Sequence, residues 1–363
     1  MTFHTFDDQM RRADGHPSGF DYLRITLAVA VVVWHTILVL YGRDAETPYL
    51  VGPLRPVIFF ILPGFFALSG FLVAGSLERN DLPSFLTLRA LRIYPALIVE
   101  VVVSALLIGG ALTTLPMAAY FTDPLLYQYA LNVTGWIHYT LPGLFLDNPS
   151  GRQVNAQLWT VPYELECYIA IAAISLIGLV RRPIVFLALL AALSIGQSLF
   201  TGVIGGGIAL DHVPSGRLLV LCFLMGVALY GVRTRVPHNA LLAAIAAVAL
   251  AAAVSWPPAT YLSALPVAYL TVFLGLLNPR RVSIIRSADY SYGIYLYGFA
   301  IQQAVAHVFP TLRVWWFHLP VSLAITGLCA YLSWNLVEKH VVNRKKVALT
   351  AVSGLIARFA AAD

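Results

Sequence analysis

The sequence predicts an all-α fold, a polytopic bundle of about ten transmembrane helices, and three observations carry that prediction. Of 363 residues, 59% are hydrophobic and 11% are charged, with mean hydropathy +0.79. Soluble chains average nearer half apolar and a quarter charged, so this much apolar surface needs lipid to cover it. The apolar residues gather into ten runs, each near the length that crosses a bilayer as a helix. The basic residues divide unevenly between the loops on the two sides.

The runs cover residues 23–41, 56–77, 94–113, 157–179, 183–201, 217–232, 239–255, 259–277, 291–309 and 317–337. The stretch before the first is polar (Asp7, Asp8, Arg11, Arg12, Asp14, Asp21) and contains no apolar region with a small-residue cleavage site. Residues 25–41 are therefore expected to act as an uncleaved signal anchor. Pro63, Gly64, Pro162 and Pro266 fall inside runs, as packed membrane helices tolerate. Gly205 to Gly207 blur the end of the fifth run. The organisation read from this is a cytoplasmic segment 1–22, a membrane domain 23–338 and a cytoplasmic tail 339–363. The longest outer loop, 114–156, carries Tyr120, Phe121, Tyr127, Tyr129, Trp136 and Tyr139. Part of it is expected to lie along the interface or dip back into the protein.

With the N-terminus inside, 18 of the 23 Lys and Arg fall in cytoplasmic segments, and only Arg43, Arg55, Arg152, Arg217 and Arg313 fall outside. That bias places both termini in the cytoplasm. The net charge of +6 arises in the inner loops and calls for no nucleic-acid partner. Cys167, Cys222 and Cys329 are widely spaced in apolar stretches and read as small core residues, with no disulfide framework or metal site.

Several residues could carry chemistry. Arg24 and His35 are separated by eleven positions on the first run, about 16 Å along a helix, or half a bilayer core. A titratable group at that depth is costly and points to function. Neutral imidazole can serve as a general base toward a hydroxyl. The plain alternative is an interfacial arginine and a packed histidine. Arg89 and Arg92 stand at i and i+3 on one helical face, with Ser84 as a candidate cap and a break expected at Tyr94–Pro95. Paired guanidinium forks suit a polyphosphate, or equally an anionic lipid. Glu164 and Glu166 lie near the outer end of a span and about 200° apart around it, so they cannot face one site. Glu100 lies within the third span and could simply pair with another helix. The run Tyr290 to Tyr297 suits helix packing, or stacking on a sugar.

Taken together, these segments resemble the acyltransferase-3 family of integral membrane acyltransferases over essentially the whole chain. Phe20-Asp21-Tyr22-Leu23-Arg24 with His35 is similar to the family's opening arginine–histidine motif. Phe65 to Leu72 resembles its second-helix signature, Arg89-Ala90-Leu91-Arg92 its paired arginines, and Asn155 with Leu158 to Glu164 its tryptophan-to-glutamate motif. Ser291 to Leu296 and Val337-Glu338-Lys339 match the late segments. Tyr22 and Ile25 depart from the usual glycines, and Tyr163 from a small or aliphatic residue.

The resemblance implies a bacterial inner-membrane O-acyltransferase, without an appended esterase-like domain. It implies cytoplasmic acyl-CoA, most simply acetyl-CoA, as donor and a hydroxyl of an exopolysaccharide, O-antigen or lipid-linked saccharide as acceptor. Arg89 and Arg92 would hold the CoA phosphates. His35 would deprotonate the acceptor hydroxyl, Arg24 would contact the donor or anchor the helix end, and Glu164 would orient the acceptor or the histidine. Trp159, Asn155 and Tyr292 would contact the acceptor. A transporter or flippase of a lipid-linked saccharide is the reading from a different class.

Overall fold

The structure, a computed structural model, describes residues 4–203, 214–282 and 289–360. Gly205 to Gly207, Arg286 and the last three residues of the tail lie outside the described residues. The principal helices are α1 (Phe6–Arg12), α2 (Gly19–Tyr41), α3 (Arg55–Arg79), α4 (Leu82–Val102), α5 (Val161–Leu176), α6 (Pro183–Val203), α7 (Gly216–Gly231), α8 (Ala240–Ser255), α9 (Ala264–Gly275), α10 (Ser291–Val308), α11 (Trp315–Ser333) and α12 (Lys345–Ala360). No strand occurs among the described residues. The chain is an all-α helical membrane protein. Six described helices are long and apolar enough to cross a bilayer: α2, α3, Leu82–Leu112, Pro183–Gly202, Pro257–Gly275 and Trp315–Asn343. Helices α7 and α8 are apolar but shorter.

The chain forms two compact units, and α2 contributes to both. The first comprises Met1–Leu27, Thr47–Arg79 and Tyr163–Ser287. Its N-terminal helix α1 starts at a capping box, in which the Asp8 amide donates to the Thr5 hydroxyl (3.2 Å) and the Thr5 amide to the Asp8 carboxylate (2.8 Å). Phe6 is fully buried against Tyr269 and His238. The centre of this unit is the packing of α3 on α7. An added Cβ at Gly70 would overlap the Phe223 carbonyl oxygen, and one at Gly226 would overlap the Ala67 carbonyl oxygen. Small residues let membrane helices approach this closely, and dispersion then holds them. Gly70→Val should therefore destabilise the protein by at least about 1–3 kcal/mol, the usual cost of overpacking. A fall in the thermal unfolding midpoint, measured in detergent, checks it. An unchanged midpoint would mean that this helix pair is loosely packed.

The second unit comprises Ala28–Glu46, Asn80–Pro162 and Ala288–Asp363. Two sequence expectations about α4 are corrected here. Its cap is Asp81, whose carboxylate accepts the Ser84 amide at 3.0 Å, and Ser84 itself lies inside the helix. Nor does the helix break at Tyr94–Pro95: it runs through Pro95 to Val102. Neighbouring helices in a membrane protein tolerate the carbonyl that proline frees. The irregularity falls later, in a π-helical stretch at Val103–Ile108. There the Ala105 carbonyl accepts the hydroxyl of Tyr120 at 2.5 Å, and Gly109 leaves room for that hydroxyl. Tyr120 belongs to loop 114–156, which folds onto this unit with Tyr120, Tyr129, Leu144 and Phe145 fully buried. Helix α11 packs along α10, with Ala330 against Gly293 and the His318 ring nitrogen Nε2 2.9 Å from the Gln302 carbonyl oxygen.

Candidate active site

Because α4 is continuous, Arg89, Arg92 and Glu100 stand on one helix of the second unit. Arg92 donates to the Asp289 carboxylate at 2.7 Å and lies 4.0 Å from that of Glu338. Its guanidinium sits over the Tyr292 ring, 5.3 Å from the centroid. Both carboxylates are held in turn: Ser291 donates to Asp289 at 2.6 Å and Ser333 to Glu338 at 2.8 Å. The result is a fixed, planar cation at the start of α10. Arg89, one turn earlier, is half-buried with its guanidinium 5.8 Å from the Phe85 centroid.

The chain is irregular up to Asn155. From Ala156 to Thr160 it forms a 3₁₀ turn capped by the Asn155 side chain, which accepts the Gln157 amide at 3.2 Å. Asn155 is fully buried. Its amide donates to Glu100 (2.8 Å) and to the Leu296 carbonyl (2.7 Å). Glu100 is fully buried too, and the same oxygen accepts the Ser104 hydroxyl at 2.7 Å. The Gln157 side chain accepts the Phe299 amide at 3.0 Å, and the hydroxyls of Thr160 and Tyr295 are 2.7 Å apart. These bonds fasten the turn that carries Trp159 to α10.

His35 also meets α10. Its ring stands edge-on to Phe299, centroids 5.2 Å apart. Gly298, next to Phe299 in the chain, leaves room for Gln157 and for Val32, which stands one turn before His35 on α2. Gln302 donates to the Val32 carbonyl and to the Thr36 hydroxyl, each at 2.8 Å. The His35 Nδ1 is enclosed without a hydrogen-bond partner among the described residues, while the residue as a whole keeps some exposure. The second unit thus gathers six of the residues singled out from the sequence: His35, Arg89, Arg92, Asn155, Trp159 and Tyr292.

Arg24 and Glu164 belong to the first unit. Arg24 lies 4.0 Å from Asp21, which also pairs with Arg281 at 3.3 Å, so this cluster ties the start of α2 to the segment after α9. The unusual Tyr22 has a role beside it, donating to the Arg280 carbonyl at 2.8 Å. Glu164 accepts the Tyr168 hydroxyl at 3.0 Å, while Glu166 is exposed. That difference follows from their opposite places around α5. Tyr163, another departure from the usual pattern, packs its ring on Gly216.

The comparisons with known proteins give the family. A family model described as "Acyltransferase domain", of the acyltransferase-3 type, matches residues 18–335. The chain belongs to the acyltransferase-3 family. Two relatives align along almost their whole lengths. The O-acetyl transferase of Shigella phage Sf6 is 28% identical over 91% of this chain and 98% of its own. Nodulation protein 10 of Rhizobium leguminosarum bv. viciae is 30% identical over 90% of this chain and 94% of its own. No solved structure matches. The acyltransferase motifs account for Arg24, His35, Arg89, Arg92 and Glu164. They do not account for Asp289, which fixes Arg92, or Gln157, which links the Trp159 turn to Phe299. The only trace of either in the sequence is a polar residue within or beside an apolar run.

Proposed function

We propose that this acyltransferase is a ten-span bacterial inner-membrane enzyme, with both termini cytoplasmic, that moves an acetyl group from acetyl-CoA to a hydroxyl of a cell-surface or lipid-linked glycan. The observation that carries this reading is the sequence of groups along α10. Arg92 stacks on Tyr292 at its start. His35 meets Phe299 seven residues later, about 10 Å along the axis. The CoA phosphates bind the guanidinium forks of Arg89 and Arg92 at the cytoplasmic side, and the thioester extends along α10 toward His35. Asp289 and Glu338 hold Arg92 in place before the donor arrives. His35 takes the proton of the acceptor hydroxyl as its oxygen bonds to the thioester carbon. It returns that proton to the CoA sulfur as the carbon–sulfur bond breaks, so no proton is gained or lost overall. Trp159 and the exposed Trp136 and Tyr127 of the outer loop offer stacking faces to a sugar. The name of the phage relative, an O-acetyl transferase, supports acetyl as the group and oxygen as the acceptor atom.

Acyl-CoA titration of the purified, folded protein tests the donor site. The Arg89→Ala, Arg92→Ala double variant should bind about 10- to 100-fold more weakly, since charge-assisted hydrogen bonds contribute about 1.5–3 kcal/mol. Wild-type binding should weaken with salt, and lysine at both positions should rescue only in part, because it lacks the planar fork. Unchanged affinity in the double variant removes the assignment. A wild-type protein that binds no acyl-CoA favours a flippase, which has no use for it.

A further inference from the structure

Acyl transfer as read above makes no use of Arg182 or Arg235. Both residues line one open cavity of about 240 Å³ in the first unit, between the start of α6 and the segment after α7. Its two walls meet closely at Gly231, where a Cβ would come within 2.6 Å of the Pro183 ring. Among the described residues neither arginine makes an ion pair or a side-chain hydrogen bond, and no acidic residue lines the cavity. Their neighbour Arg233 shows the contrast. It is spent on Asp7 at 3.1 Å and Glu78 at 3.3 Å, and its guanidinium stacks on Tyr230. Two arginines without a carboxylate partner beside one space suit an anion with several oxygens, and the planar fork of the guanidinium suits phosphate.

The walls say where that phosphate comes from. Ile184 and Val185 line the same cavity and are about half exposed. Val185 leads at i+4 spacing to Leu189 and Leu193, also about half exposed, along the membrane-spanning helix α6. Residues spaced by four share a helix face, so an apolar track of about 12 Å leaves the cavity toward the bilayer interior. Thr234 adds a hydroxyl at the polar end. A soluble phosphate has no use for the track, whereas an anionic phospholipid fills both parts at once. We propose that the Arg182–Arg235 cavity is a binding site for the headgroup phosphate of an anionic phospholipid, with one acyl chain lying along Val185, Leu189 and Leu193. The basic-residue bias puts both arginines on the cytoplasmic side, whose lipid surface is negative.

The test uses full-length protein in phosphatidylcholine nanodiscs, titrated with phosphatidylglycerol and followed by native mass spectrometry and by the thermal unfolding midpoint. Phosphatidylglycerol should bind and raise the midpoint of the wild type, while additional phosphatidylcholine should not. The Arg182→Gln, Arg235→Gln variant should lose about tenfold or more in affinity, a change of about 1.4 kcal/mol. Both side chains are exposed, so its midpoint in phosphatidylcholine alone should match the wild type and report correct folding. Arg181→Gln is the control: Arg181 is adjacent and exposed but does not line the cavity. It should change affinity by less than about twofold, because a defined pocket discriminates where a diffuse surface potential does not. Equal affinity in the double variant overturns the proposal, as does an equal loss in Arg181→Gln. Inorganic phosphate that reproduces the midpoint shift and displaces the lipid overturns the assignment to a lipid.

Discussion

His35→Gln should lower the transfer rate by about 10²–10⁴-fold, the usual contribution of a general base, while acyl-CoA binding stays near wild type. Glutamine keeps a polar side chain against Phe299 but cannot take a proton at neutral pH. The structure gives reason to expect that folding survives. His35 Nδ1 makes no hydrogen bond among the described residues, and the neighbouring contacts of α2 with α10 run through Val32 and Thr36. His35→Ala should lose as much activity, and the retained binding locates the loss in the chemical step. The assay is acetyl transfer to cell glycan in membranes, beside a CoA titration of the purified variant. A near wild-type rate for His35→Gln would make this a packing residue and end the mechanism proposed for it.

What the sequence made legible follows the range of the interactions. Helical runs are local, so composition and spacing reveal them, and each of the ten runs overlaps helix in the described residues. The Arg89–Arg92 spacing is local as well, and the two do share one helix. The cap at Asp81 and the passage through Pro95 were misread for opposite reasons. Ser84 and Asp81 both have capping chemistry, and only the backbone decides between them. The cost of proline depends on neighbouring helices that no local rule contains. Long-range pairings were invisible. Glu100 meets Asn155 across 55 positions and Arg92 meets Asp289 across 197. A carboxylate in an apolar run announces that it needs a partner, but not which one. Asn155 belongs to a legible motif, but its bonds to Glu100, Leu296 and the Gln157 amide are not legible there.

Glu100→Ala should be the most destabilising single change in the second unit that removes no aromatic residue. The carboxylate is fully buried in a membrane-spanning helix, where it accepts hydrogen bonds from the neutral donors Asn155 and Ser104. Removing it strands an N–H of Asn155 and the Ser104 hydroxyl in an apolar interior. Each such orphan costs about 1–3 kcal/mol, before any cavity term. The effect should also reach function, because Asn155 caps the turn that carries Trp159. Once that cap loosens, acceptor KM should rise more than donor affinity falls. Glu100→Gln separates hydrogen bonding from charge. It keeps an oxygen for Asn155 and Ser104 but places an amide where the second carboxylate oxygen is enclosed without a partner. The expected order of unfolding midpoints in detergent is therefore wild type, then Gln, then Ala. An alanine variant that melts with the wild type would show that the Glu100–Asn155 bond holds nothing together. A glutamine variant as unstable as alanine would show that the carboxylate itself, rather than its acceptor oxygen, is what the helix bundle requires.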